Sequence, residues 1–308
     1  MQQQPASTAI RSASSCAEQT SWREFVDLYK ALRVIEGRID AQVRGDCTDI
    51  YEPSVEMIRR ALGRPLEGCS ALEIGPGQWM AQARYFSQWM QVTGIDLDVL
   101  PEGLSIGAYV RMWRDNGWRR VAKTIGRKLL GFDRMHRRAY ERVMPAAKYT
   151  PELRTMDATR MTFDTGTFDV AYSFNVMEHV PDPEAVFREC IRVVKSGGVV
   201  FHDFHLYTSD SGAHDTRAVT GERDGLSHWA HLRPDRVAEV RYGGYLNRLS
   251  LAEWMAMVDR SFPGAEIRMR RNEHLRDELA KLRAAGELAA YSDDQLLVQN
   301  IMVAWRKP

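Results

Sequence analysis

One short stretch constrains this chain more than any other: Ser70-Ala71-Leu72-Glu73-Ile74 runs directly into Gly75-Pro76-Gly77-Gln78. A mostly apolar segment ended by Gly-Pro-Gly reads as a buried strand and a tight loop, with a helix starting near Trp79. Glycine lacks a Cβ and reaches positive φ without strain, so this loop lets backbone press against a ligand. A helix opening just beyond it presents free N–H groups to a negatively charged group. This strand–loop–helix is how doubly wound α/β domains hold nucleotide-like cofactors.

Downstream residues narrow the ligand. Val92-Thr93-Gly94-Ile95-Asp96-Leu97-Asp98 reads as a second strand ending in an acid. Asp96 stands about 20 residues past the loop, where a carboxylate accepts hydrogen bonds from ribose hydroxyls. The dinucleotide fingerprint wants a third glycine, and this chain has Met80 there. That argues against NAD and for a nucleoside cofactor without a pyrophosphate.

Further pieces follow in order: Met156-Asp157-Ala158, then Phe168 to Val180 with Glu178-His179 inside it, then Val193-Val194-Lys195-Ser196-Gly197-Gly198-Val199. With these, the segment from about Cys69 to Asp203 resembles a class I S-adenosylmethionine-dependent methyltransferase, of the broad group with a Glu-His pair after the fourth strand. The resemblance implies an α/β, Rossmann-like, seven-stranded, mostly parallel sheet flanked by helices. It implies S-adenosyl-L-methionine as cofactor, with Gly75 and Gly77 against its methionine part and Glu73 below it. Asp96 would take the ribose hydroxyls, Leu97 would pack on adenine, and Asp157 and Ala158 would meet the adenine edge. Phe174 and Asn175 would lie at the carboxyl end of the fourth strand.

The residue pattern around these motifs sets the organisation. Residues 1–20 are rich in Gln, Ser, Ala and Thr and read as a disordered tail. Trp22, Phe25, Val26, Tyr29, Leu32 and Ile35 recur at helical spacing, so residues 21–65 read as a helical extension before a domain over 66–308. Strands are expected at Ala71–Ile74, Val92–Asp96, Glu152–Met156, Phe168–Phe174 and Gly198–His202, with helices at Met80–Trp89 and Glu184–Val194 between them. Glu266–Arg271 and Gln295–Trp305 read as a closing strand pair, with a charged helix at Glu273–Leu288. The four cysteines, Cys16, Cys47, Cys69 and Cys190, lie far apart and read as reduced thiols, not a zinc site. No apolar run approaches the roughly 20 residues that span a bilayer, and no hydrophobic leader core opens the chain, so the expectation is a cytoplasmic protein.

Two regions lie beyond the motifs and bear on the acceptor. His202, His205, His214, His228 and His231 are five of the eight histidines of the chain and fall after the fourth strand. Histidine exchanges protons near neutrality, and a hydroxyl acceptor needs a base to attack. His202 or His205 is the candidate base; His214, His228, His231 and Tyr207 are candidates to line an acceptor pocket over 203–248. Glu178-His179 reads first as shaping the floor of the site, with proton transfer by His179 as a second role. A divalent metal held by histidine and aspartate is the weaker alternative, since no tight ligand spacing such as HxxxH supports it.

The other region is the insertion over 101–150. Val110, Trp113, Val121, Ile125, Leu129 and Phe132 recur at helical spacing among many Arg and Lys residues, although Lys+Arg 42 against Asp+Glu 41 leaves the whole chain near neutral. Three readings stand side by side: a lid for an anionic acceptor, an amphipathic helix on anionic lipid through 110–132, and a packed helix with a solvated basic face. Nucleic acid is disfavoured, because no binding module accompanies the basic residues. The expectation is therefore O-methylation of a small-molecule or glycan-like hydroxyl with a histidine base. N-methylation is the alternative reaction, and a non-catalytic protein binding a partner or membrane is the alternative of another kind.

Overall fold

The computed structural model describes residues 37–77, 79–97, 107, 109–110, 113–114, 117–129, 131–219, 223–242 and 244–308. The expected tail over 1–20, the helical pattern from Trp22 to Ile35, Cys16 and much of 98–116 lie outside the described residues. In chain order the main elements are α1 Ile39–Asp46, α2 Glu52–Leu62, β1 Ser70–Ile74, α3 Ala81–Phe86, β2 Gln91–Asp96, α4 Trp118–Leu129, α5 Phe132–Val143, β3 Glu152–Thr155 and β4 Phe168–Phe174. They continue with α6 Pro183–Val193, β5 Val194–His205, α7 Thr216–Val219, α8 Leu251–Ser261, β6 Glu266–Arg271, α9 Arg276–Ala284, α10 Asp293–Leu297 and β7 Val298–Arg306.

The seven strands form one sheet in the order β3-β2-β1-β4-β5-β7-β6. β2 runs parallel to both β1 and β3, while β6 is antiparallel to β7. This is the expected class I arrangement, a Rossmann-like sheet with a closing antiparallel pair and a helical insertion between β2 and β3. Sheet growth reverses between β1 and β4, and open α/β sheets bind ligands beyond the strand ends at such a switch point. β4 is buried along its whole length, as expected of a strand covered on both faces.

Two compact units make up the chain: Met1–Tyr172, Arg188–Val200 and Arg306–Pro308 form the first, Ser173–Phe187 and Phe201–Trp305 the second. In the first, Phe86 of α3 stacks on Tyr172 of β4 at 4.6 Å between ring centroids. Asp169 opens β4 as a charge hub: it accepts from Arg64 Nη2 at 2.6 Å, Ser70 N and Oγ at 2.9 Å each, and Lys195 Nζ at 3.0 Å. Those contacts hold its carboxyl down at about 2 against its own burial.

Within the described residues of the insertion, α4 and α5 behave differently. α5 is packed, with Phe132, His136, Ala139 and Tyr140 buried. His136 stacks on Trp79 at 3.6 Å, and Arg142 pairs with Asp40 of α1 at 2.6 Å. α4 instead leaves large apolar side chains in water: Trp118 is 64% exposed and Leu129 81%.

In the second unit a core of Trp229, Leu275, Leu279, Leu288, Leu296 and Leu297 anchors the segment after β5. Trp229 Nε1 donates to the Leu296 carbonyl at 3.3 Å. Some boundaries differ from expectation for local reasons. β5 extends to His205 rather than ending at His202, because Asp203 and Phe204 are as buried as the strand before them. β7 begins at Val298, since Ser292 and Gln295 form a capping box that starts α10. The Glu178-His179 pair sits in a single 3-10 turn, Met177–His179.

Candidate active site

The loop after β1 has the conformation its glycines suggest: Gly75 has φ 65 and Gly77 φ 62. A Cβ at Gly77 would meet no atom within 4 Å among the described residues. Gly75 N donates to the Ile95 carbonyl at 2.8 Å, and the Pro76 ring rests against Gly94, where a Cβ would come within 2.9 Å of it. The loop is thereby fastened to β2. Met80, in the place of the third fingerprint glycine, also adopts a left-handed backbone with φ 51.

At the end of β2, Asp96 is half-buried and its carbonyl accepts from Met156 N at 2.9 Å. Leu97 beside it is 59% exposed, an apolar face available to a flat ring. Asp157 and Ala158 are half-buried, and Asp157 Oδ1 accepts from Thr159 N at 2.8 Å and Thr159 Oγ1 at 2.7 Å, which fixes its rotamer. Glu73 is buried and accepts from Tyr172 Oη at 3.2 Å; burial, with a smaller push from the charge of Asp96, raises its carboxyl to about 8. It is therefore a neutral acid at pH 7. These residues belong to the first unit, where the bond from Gly75 N to the Ile95 carbonyl sets the β1 loop beside the end of β2 that carries Asp96. Phe174 and Asn175 belong to the second unit. Phe174 packs on Phe201 at 5.5 Å, and Asn175, at φ 51, accepts from Asn300 Nδ2 at 2.8 Å.

The histidines separate into three settings. His202 is 0% exposed, lies between Phe187 and Phe262, and has Nδ1 2.8 Å from Ser173 Oγ. Burial lowers it to about 3, so it is a neutral core side chain. The expectation of a base at His202 therefore finds no exposed nitrogen there. His228 and His231 brace the loop after β5: His228 Nδ1 is 3.2 Å from Asp210 Oδ1, and His231 Nε2 donates to the Tyr207 carbonyl at 2.7 Å. Asp210 also pairs with Arg223 and accepts from Trp229 N at 2.7 Å. Tyr207 faces the Tyr242 hydroxyl at 3.4 Å, with Arg248 over both rings.

The third setting is a row of imidazoles. His179 meets His214 edge-on at 4.7 Å between ring centroids, and His214 meets His205 at 4.9 Å. His205 Nε2 is 2.8 Å from Ser209 Oγ and 3.1 Å from Ser211 Oγ. Burial lowers all three, His214 to about 4. The turn carrying His179 is clamped by Asn247, whose Nδ2 donates to the carbonyls of Met177 at 2.8 Å and Val180 at 3.1 Å. Sequence reasoning named the Glu178-His179 pair but missed Asn247 and the approach of Glu178 to His214, because the partners lie 36 to 70 residues apart. No local spacing signals them.

The family model described as Methyltransferase domain matches residues 103–202, from beyond β2 into β5. An uncharacterized methyltransferase of Mycobacterium sp. (strain KMS) is 33% identical over 85 residues, covering 28% of this chain and 31% of the relative. A ubiquinone biosynthesis O-methyltransferase of Ralstonia nicotianae (strain ATCC BAA-1114 / GMI1000) is 50% identical over 107 residues, 29% of this chain and 45% of the relative. The chain thus spans less than half the length of these relatives. Among solved structures, Haemonchus contortus phosphoethanolamine N-methyltransferase 2 aligns over 84% of this chain and 53% of its own, at 15% identity and TM-score 0.44.

Proposed function

We propose that the chain is a methyltransferase of the class I fold and that it transfers a methyl group from S-adenosylmethionine to a hydroxyl oxygen of a small-molecule acceptor, a reading supported by the match over residues 103–202 and by the order of the sheet. The observation that carries the reading is the β1 loop, with left-handed Gly75 and Gly77, no described atom within 4 Å of a Cβ at Gly77, and Asp96 and exposed Leu97 at the end of the paired strand β2. The residues fit that cofactor: a carboxylate for ribose hydroxyls, an apolar face for adenine, and a loop that a side chain would fill. When bound, the cofactor supplies a methyl activated on a sulfonium. The chain's own work is to hold the acceptor in line and to take its proton. His179, His205 and His214, all neutral and adjacent, are the groups offered for that proton.

Calorimetry with S-adenosylhomocysteine tests the cofactor half: Asp96→Ala should weaken binding at least about tenfold, in proportion to a lost pair of hydroxyl contacts. No heat with the intact chain overturns it and leaves a partner-binding protein. For the base, His179→Ala, His205→Ala and His214→Ala should lower turnover while cofactor binding persists. Unchanged turnover in all three removes the base and leaves N-methylation, where a neutral amine attacks unaided.

The insertion supports a second element. Val110, Trp113, Trp118 and Leu129 are exposed in a stretch rich in Arg and Lys. An apolar face bordered by cations suits the surface of an anionic bilayer. Among the described residues no helix is long and apolar enough to cross a membrane, so this contact is peripheral.

A further inference from the structure

The geometry points to a divalent transition-metal site formed by Glu178, His179 and His214. One ligand atom from each lies within 4.8 Å of the other two, and Glu178 Oε1 is 3.8 Å from His214 Nε2. Ligands held about 2.1 Å from a tetrahedral ion stand about 3.4 Å apart, so a small rotamer adjustment closes the set.

Four observations carry the assignment. Glu178 is 3% exposed, and neither of its carboxylate oxygens meets hydrogen-bond geometry with any donor among the described residues, although the backbone N–H groups of Glu178 and His205 face it. His214 Nε2 is buried and equally without a hydrogen-bond partner among the described residues. A buried polar group left unpaired costs about 1–3 kcal/mol, so two aimed at each other call for something between them. His179 Nδ1 is 2.8 Å from the Tyr245 carbonyl, which can only accept; the proton therefore sits on Nδ1 and the Nε2 lone pair is left for a ligand. Finally, His214 is held at φ 53, a left-handed backbone that a non-glycine residue rarely adopts, fixed by its N–H on the Ser211 carbonyl at 2.9 Å.

Two neutral imidazoles and one carboxylate suit zinc or cobalt better than magnesium or calcium, which favour all-oxygen shells. Three protein ligands leave a coordination position open. An acceptor hydroxyl on that position would become more acidic, which is the task otherwise left to the histidine row. That consequence rests on the methyl-transfer reading; the site itself does not.

Cobalt is the probe. The full-length chain, stripped with chelator and titrated with Co2+, should take up one equivalent with visible ligand-field absorption and an increase in Tm. Glu178→Gln and His214→Gln should each weaken uptake at least about tenfold and abolish the Tm increase, whereas His274→Gln, at an exposed histidine elsewhere, should leave both unchanged. No stoichiometric uptake by the unmodified chain overturns the site. So does uptake that survives both ligand substitutions. If His214→Gln fails to fold, Glu178→Gln, which keeps the side-chain volume, decides. S-adenosylhomocysteine calorimetry on the same samples separates loss of the ion from loss of the cofactor site.

Discussion

Glu73→Gln isolates the energetics of the carboxyl under the glycine loop. The folded carboxyl holds its proton to about 8, against 4.5 for an unperturbed one, because it is wholly buried on Tyr172. Between those values the folded state binds more protons than the unfolded state. The stability Glu73 contributes is therefore full below 4.5 and drains away as pH rises towards 8. Integrating that difference from about pH 5 to about pH 7.5 gives a loss of about 3 kcal/mol for the native residue. Glutamine cannot ionise and escapes that loss. Its extra N–H2 donors impose a constant offset of about 1–3 kcal/mol, which does not vary with pH. Urea unfolding of both proteins across that range should show the stability of Glu73→Gln, relative to the native chain, rising by about 3 kcal/mol. A difference that stays flat with pH refutes the buried neutral acid.

Other expectations follow from the same physics. Asp169, lowered from 3.8 to about 2, stabilises the fold above 3.8 and loses that contribution as pH falls towards 2; Asp169→Asn should cost about 2 kcal/mol at neutral pH and little at about pH 2, measured by denaturant midpoints. His202→Ala should lower stability by about 2–4 kcal/mol through a cavity beside Phe187 and Phe262, with turnover per folded molecule retained; unaltered stability with lost turnover would give His202 back its role as base. Trp118→Glu with Leu129→Glu should abolish sedimentation with phosphatidylglycerol vesicles, and equal binding by the double variant would move the lipid contact elsewhere.

The sequence by itself marked the strands and the glycine loop of the proposed cofactor half. Strand, glycine turn and strand-end acid are local patterns: backbone freedom at Gly75 and Gly77 and short apolar runs act over a few neighbours, so the strands could be placed along the chain, while their order in one sheet is a property of the fold. The acceptor half was only partly legible. Histidines clustered in sequence parted in space, His202 into the core, His228 and His231 onto the Asp210 loop, His205 and His214 into a row. Burial decides whether a histidine is base, ligand or packing, and burial is a property of residues far apart in the chain. Glu178, His179 and His214 became one cluster only because Asn247 locks their turn and the loop after β5 turns back at His214. The same holds for the insertion: its helical period was visible, but only tertiary packing of Tyr140 and His136, against the exposure of Trp118 and Leu129, tells its buried helix from its bare one.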